Sequence, residues 1–491
     1  MDFRPTSQTA LPSIDPSRAS ALEDQFSRKR GIAAVVVPTD DLRVRERHRE
    51  LGQPITLFGE GPAERRDRLR EFIYNLQTSA SVDADGDTTL FDAAANTTTQ
   101  DDEQEEFYTE GTPALLAARR DIALTSIRRA ARRVAYLRKE AQAPLRAHVR
   151  HRAAVKERLR GFELYGSDAQ DRPVGCTRFA PDGRTVAAGT WTGAVKILEV
   201  PTLQAVRTYK GHTDRVGGVS WRPGATTRLA KEEVSLASGG GEGNVQLWSL
   251  TDSTAPRGTL VGHSGRVCRV EFHPSGAYLA SASDDTTWRL WDVATTQELL
   301  LAEGHASEVR AVAFNGDGAL LASAGRDSYG RVWDLRTGRT IMILEGHTKD
   351  IFAVDWAPDG HRLLTGSADG FAICWDVRMV RETARVPAHS KGVTDLRWYK
   401  GVDGPGGESG LALKGTGADM ELRRSGTFVV SSGLDYKVNI LSANDWAPCR
   451  TLSGHAGNVL SCDVSDDARW IVSGGYDRTV KLWSREDGQE V

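Results

Sequence analysis

Cysteine is scarce in this chain, and what there is does not pair in sequence. The five residues, Cys176, Cys268, Cys374, Cys449 and Cys462, are odd in number and form no C-x-x-C pair. That excludes a disulfide framework and a cysteine zinc site, and points to a reducing compartment. No run of about 18 apolar residues occurs, so no membrane span is expected. The opening Met1-Asp2-Phe3-Arg4-Pro5 lacks the apolar core of a secretory signal. Neither Gly59-Glu60-Gly61 nor Gly239-Gly240-Gly241 is followed by Lys-Ser/Thr, which excludes a phosphate-cradling loop. Net charge is also small, at -3, but locally one sign is missing. Ser81–Ala118 holds ten acidic residues and no Lys or Arg, whereas Pro113–Arg160 holds fourteen Lys/Arg against three Asp/Glu. At 491 residues the chain is too long for one core and should divide into two or three units.

What is abundant is glycine, at 49 residues, and tryptophan, at 12, and both recur with a period. Gly-His or Ala-His pairs place histidines at 212, 263, 305, 347, 389 and 455, with equal intervals from His263 to His389. Trp follows at 248, 291, 333, 375 and 483, and the last four stand at one fixed distance after His263, His305, His347 and His455. Ten residues before the Trp position stands Ser238, Ser281, Ser323, Thr365, Ser431 or Ser473. Six before it stands Glu242, Asp285, Asp327, Asp369, Asp435 or Asp477. A period of about 42 residues with Gly-His and Trp-Asp punctuation is the WD40 signature, four strands to a blade. The expected logic is one of polar satisfaction: the acid in a tight turn holds the His, the His meets the hydroxyl, and the Trp N–H finds a partner. The sets to be read as structural are therefore His263, Ser281, Asp285 and Trp291; His305, Ser323, Asp327 and Trp333; His347, Thr365, Asp369 and Trp375; and His455, Ser473, Asp477 and Trp483. Six copies of a His, a hydroxyl and an acid argue against a hydrolase triad, which would be unique.

A seventh, degenerate unit lies upstream. Arg178–Gly183 copies the strand and turn of Trp356–Gly360, and Val195–Leu198 copies Val480–Trp483, but Gln170, Ala188, Thr192 and Leu198 occupy the set. The sixth unit keeps His389, Ser431 and Asp435 and has Leu441 for Trp. Because each repeat opens with the outer strand of the preceding blade, the last blade needs one from elsewhere. Phe162–Tyr165 can supply it and remove an exposed sheet edge. The second blade is lengthened around Arg222–Val234, and the sixth carries an insertion near Lys400–Gly426, read as a tolerated surface loop. The fold expected is an all-β seven-bladed propeller over 161–491, preceded by an α-helical arm.

Within the arm, residues 1–30 lack any period and are expected to be disordered. Asp40 or Asp41 can cap a helix starting near Leu42, and a second helix should follow Gly61-Pro62 and run over Ala63–Leu76. Between them, Ile55, Leu57 and Phe58 face either a core or a partner. Residues 77–112 form an acidic linker, or a mask over the basic segment that follows. In that segment, 113–160, the residues Ala123, Ile127, Ala130, Val134, Leu137 and Ala141 form one apolar stripe at helical spacing. Arg128, Arg129, Arg132, Arg133, Arg138 and Lys139 cover the rest. Pro144 should kink or end that helix, with a second one over Leu145–Arg160.

The stretch Val36–Phe72 carries Pro-Thr-Asp-Asp and then Gly-Gln-Pro-Ile-Thr-Leu-Phe-Gly-Glu-Gly-Pro-Ala-Glu-Arg-Arg-Asp-Arg-Leu-Arg. It resembles the small splicing-factor motif of pre-mRNA processing factors. Placed ahead of a WD40 ring, it resembles the pre-mRNA processing factor four family over roughly residues 32–491, the sixth-blade insertion and Leu441 being departures. The resemblance implies a nuclear, non-catalytic scaffold of the U4/U6 and U4/U6·U5 small nuclear ribonucleoproteins, with no cofactor, metal or small-molecule substrate. Its implied partners are pre-mRNA processing factor three, a cyclophilin-type prolyl isomerase, U4/U6 small nuclear RNA and other tri-snRNP proteins.

On that reading Ile55, Leu57, Phe58, Arg65 and Arg66 are candidates for partner binding. The six basic residues from Arg128 to Lys139 either contact RNA phosphate or lie solvated on a helix with one face on a partner. Seven residues at the turn and strand-start positions of one propeller face are candidate protein anchors: Trp191, Arg310, Arg326, Phe352, Leu434, Leu460 and Tyr476. A second reading comes from Trp333-Asp334-Leu335-Arg336 and Trp375-Asp376-Val377-Arg378. These match the Trp-Asp-x-Arg pattern of substrate receptors for cullin-type ubiquitin ligases, whose Arg docks on an adaptor, but it leaves the N-terminal motif unexplained.

Overall fold

Small side chains on the second strand of each blade set the architecture. Those strands read Tyr278–Ser283 (YLASAS), Leu320–Gly325 (LLASAG), Arg362–Ser367 (RLLTGS) and Trp470–Gly475 (WIVSGG). They are covered on both sides by neighbouring blades, so large residues gather in the first half of each strand and Ala, Ser, Thr or Gly fill the second. A Cβ at Gly366 would lie 2.5 Å from Leu396 Cδ1 of the next blade, closer than any packed methyl can sit. In a computed structural model, residues 35, 37–38, 41–55, 61–80, 111–251, 254–401, 422 and 424–485 are described. The chain divides into two compact units, Met1–Thr109 and Glu110–Val491.

The first unit pairs α1 (Asp41–Glu50) with α2 (Pro62–Ala80). Its core is Val37, Val44 and Leu69, with Val35, Leu51 and Ile73 packed against them. So small a core needs polar clamps. Buried His48 donates through Nε2 to the Arg65 carbonyl at 3.2 Å, and Arg68 donates to the Pro54 carbonyl at 3.1 Å. Glu64 accepts from the Gly61 N–H at 2.9 Å, holding the first turn of α2.

The second unit opens with α3 (Pro113–Glu140) and α4 (Leu145–Leu159). Thr112 caps α3, its Oγ1 accepting from the Leu115 N–H at 3.2 Å, with Pro113 in the first turn. Pro144, which has no N–H, separates the two helices as its sequence position requires. Twenty-eight strands follow among the described residues, from β1 (Phe162–Ala169) to β28 (Thr479–Arg485), in seven four-stranded antiparallel sheets. Six sheets are consecutive meanders. The seventh joins β28 and its two predecessors to β1, with Phe162 opposite Arg485, Leu164 opposite Trp483 and Ala169 opposite Thr479. The ring is thus closed by the strand that the repeat arithmetic required. No unit boundary separates the basic helices from the propeller: α3 and α4 belong to it. Segments 1–30 and 81–110, and insertion residues 402–421, lie outside the described residues.

Candidate interaction surfaces

Each histidine set closes as a directional chain. In the third blade Asp285 accepts from His263 Nδ1 at 2.7 Å, so Nε2 is the acceptor, and Ser281 Oγ stands 2.7 Å from it. The Ser281 hydroxyl therefore donates to the ring and accepts from Trp291 Nε1 at 2.8 Å. The same geometry recurs at His305, Ser323, Asp327 and Trp333, at His347, Thr365, Asp369 and Trp375, and at His455, Ser473, Asp477 and Trp483. In the second blade Glu242 replaces Asp. In the sixth, with Leu441, Ser431 lacks the Trp donor. Burial holds the imidazoles of His347, His389 and His455 below the ordinary histidine range, so they stay neutral. Burial opposes ionisation of Asp285 and Asp477 as well. There the hydrogen bonds from the paired His and from Thr287 or Thr479 win, and both carboxyls stay below the usual range. In the four sets built on Asp, the His, hydroxyl, carboxylate and indole polar atoms are all occupied by one another or by adjacent backbone and side-chain groups.

The face of α3 that meets the propeller is not the stripe of helically spaced aliphatics. Leu115, Ala118, Ile122, Ser126 and Tyr136 are buried, and the first three join Tyr278, Leu299, Phe314 and Leu335 in one core cluster. Arg129 and Arg133 lie on the same side. Arg129 Nη2 donates to the Pro274 carbonyl at 2.6 Å. Arg133 grips Asp317, Nε to Oδ2 at 2.9 Å and Nη2 to Oδ2 at 2.6 Å, and reaches the Asp359 carbonyl at 2.9 Å. These carbonyls and Asp317 belong to the hairpin turns at one end of blades three, four and five. Two of the six candidate RNA contacts therefore serve to clamp the helix. Arg128, Arg132, Arg138 and Lys139 are exposed. The next helix ends in the core through Val155 and Leu159, which pack with Phe162 and Trp483, while Lys156 pairs with Asp445 at 2.5 Å.

The seven candidate anchors lie at the opposite ends of the strands, where inner strands begin. Trp191 and Tyr476, from the first and seventh blades, meet edge to face at 5.6 Å, and the Arg215 guanidinium sits 5.5 Å over the Trp191 ring. Arg310 pairs with Asp284 at 3.2 Å, and Arg326 with Glu308 at 2.9 Å. Phe352, Leu434 and Leu460 are half-buried. Of the N-terminal candidates, Arg65 is buried in the helix pair, Ile55 and Arg66 are half-buried, and Leu57 and Phe58 lie outside the described residues. Both Trp-Asp-x-Arg arginines fold back onto their own aspartates, Arg336 on Asp334 and Arg378 on Asp376, bidentate at 2.9–3.2 Å.

One constellation escapes sequence reasoning. Asp395 accepts from Arg178 at 3.0 Å and from Arg269 at 2.7 Å, and Asp355 pairs with Lys400 at 2.9 Å. These residues come from four different blades and meet only because the ring brings the inner strands together. Burial opposes the Asp395 charge, but the two guanidiniums outweigh it and keep the carboxyl below its usual range.

A family model described as pre-mRNA processing factor 4 (PRP4) like matches residues 44–72, which run from within α1 to the middle of α2. A model for the WD domain, G-beta repeat, matches residues 203–249, 254–292, 297–334, 338–376 and 446–484. The chain is 41% identical over 456 residues to the U4/U6 small nuclear ribonucleoprotein PRP4 of Saccharomyces cerevisiae, covering 91% of each chain. It is 37% identical to an uncharacterised WD repeat-containing protein of Schizosaccharomyces pombe, over 58% of this chain and 59% of that one. To the human U4/U6 small nuclear ribonucleoprotein Prp4 it is 36% identical, over 42% of this chain and 38% of the relative.

Proposed function

The chain belongs to the pre-mRNA processing factor 4 family, and from that premise we propose that it is a nuclear, non-catalytic scaffold of the U4/U6 small nuclear ribonucleoprotein and of the U4/U6·U5 particle. The observation that carries this reading is the pairing in one chain of the residue 44–72 motif with a complete propeller, aligned with the yeast relative over 91% of each chain. The propeller presents the Trp191–Tyr476 patch and its neighbours Phe352, Leu434 and Leu460 to a protein partner. The helix pair offers Ile55 and Arg66. Partners of this kind are pre-mRNA processing factor three and a cyclophilin-type prolyl isomerase.

The RNA contact is narrower than the basic composition suggests. Arg128, Arg132 and Lys139 share one edge of α3, within about 40° at about 100° per residue, and form the surface for U4/U6 phosphates. Purification of the tagged chain from nuclear extract, probed for U4 and U6 RNA, tests the assignment; recovery of a cullin adaptor without small nuclear RNA would sink it. Replacing Arg128, Arg132 and Lys139 by Glu should weaken RNA association and make its dependence on salt shallower, while the propeller still melts as wild type. Unchanged RNA association would remove α3 from the RNA interface.

A further inference from the structure

The apolar stripe Ala123, Ile127, Ala130, Val134, Leu137 and Ala141 exists on α3, but it is turned to one side of the face that packs on the propeller. At about 100° per residue it is centred roughly 95° from the line through Leu115, Ile122, Arg129 and Arg133 that packs on the blades. Leu116 joins it. Three of its large members are open, Leu116 at 52% exposed, Ile127 at 61% and Val134 at 38%, while Leu137 is half-buried. The helix is therefore amphipathic twice over, with one face seated and one bare. The bare ridge runs about 27 Å from Leu116 to Val134 at about 1.5 Å per residue, five turns of helix. Exposed ridges of this extent mark interaction sites.

Three observations choose the occupant. The ridge is aliphatic throughout, with no aromatic ring on which a base could stack and no donor aimed along it, so RNA gains nothing there. Its outer border carries Arg120 and Arg138, both exposed. A second copy of α3 laid antiparallel on the ridge would bring the two arginine-bearing borders together, and like charges oppose that pairing. A helix with apolar residues at i, i+3/i+4 and i+7 and an acidic border satisfies both ridge and charge. We propose that this ridge receives an amphipathic, acid-flanked helix of another protein, laid along α3 as a third layer over the propeller. The site is distinct from the basic edge of Arg128, Arg132 and Lys139, so it stands or falls separately from the RNA assignment.

The test places photoreactive p-benzoylphenylalanine at position 127 of the full chain within assembled particles, irradiates them and sequences the linked peptide by mass spectrometry. A peptide from another protein with apolar helical spacing and flanking Asp or Glu is the expected product. A link to RNA, to a second copy, to this chain itself, or no link overturns the proposal. In parallel, the double variant Ile127→Glu/Val134→Glu should keep the wild-type melting temperature, since both side chains face solvent. It should lower co-purification of the linked protein by about tenfold or more, whereas Leu145→Glu/Val149→Glu, at exposed apolar positions of the next helix, leaves it unchanged. Equal loss in both double variants would refute a separate apolar site.

Discussion

Removing the Arg133 guanidinium separates a clamp from an RNA contact. The side chains of Arg133 and Asp317 are only 19% and 11% exposed, and the guanidinium also reaches the Asp359 carbonyl. Arg133→Met keeps the aliphatic stem and leaves Asp317 charged, enclosed and unpaired. Breaking a hydrogen-bonded pair of this kind costs about 2–5 kcal/mol when it is fully desolvated. Residual exposure favours the lower half of that range, about 2–3 kcal/mol. That cost falls on the seating of α3, where about 1.4 kcal/mol is tenfold in the equilibrium. Hydrogen exchange of the amides from Ser126 to Tyr136 should therefore quicken by about 30- to 150-fold, while the blade strands keep their protection. The double variant Arg133→Met/Asp317→Asn, which removes both charges, should recover much of the loss. If α3 exchange is unmoved and RNA affinity falls instead, the clamp is wrong and Arg133 belongs to the RNA surface.

Ser281→Ala leaves the Trp291 N–H and His263 Nε2 without partners and should cost about 2–4 kcal/mol. Ser431→Ala, where Leu441 supplies no donor, should cost visibly less, and equal losses in thermal melts would refute the hydrogen-bond account. Acid should withdraw the support of one buried histidine. His273 is pushed down to about 4 by desolvation, against an ordinary value near 6.5. Its contribution is fully present above pH 6.5 and is lost as pH falls toward 4, by up to about 3 kcal/mol, because the unfolded chain takes up the proton first. The variant His273→Gln lacks that dependence, so identical slopes of the urea midpoint between pH 7 and 4.5 in variant and wild type would refute it. Phe162→Ala empties the core position that ties β1 to Trp483 and should cost about 3 kcal/mol. The cost should be read out as selective loss of exchange protection in β28, and uniform loss across all blades would argue against a local closure.

The ring was legible because its evidence repeats. A period of about 42 residues, a Trp at a fixed distance after the His and an acid six places before the Trp leave one architecture, and even the closing strand followed from counting. The arm was legible as helices but not as surfaces. Hydrophobic spacing picked out Ala123 to Ala141 because it scores apolar residues. The face that packs on the propeller includes Ser126, Arg129 and Arg133, and its arginines bind carbonyls and a carboxylate in turns far along the chain. Nothing local marks such an arginine as different from Arg128 or Arg132. Arg65 has the same history: its charge suggested a surface, and the packing of α1 on α2 buried it. The Asp395 network was invisible for a related reason, since its members are neighbours only in the finished ring.

Ring closure also sets an order of events during synthesis. β1 leaves the ribosome before any blade, yet its partner β28 follows all the others. Until then α4, joined to β1 by Arg160 and Gly161 alone, lacks the Trp483 wall against which Val155 and Leu159 settle. A nascent or truncated chain thus keeps an unmated strand and an unseated arm, the state that chaperones recognise. Correct seating of α4 becomes a certificate that translation has run to the last blade.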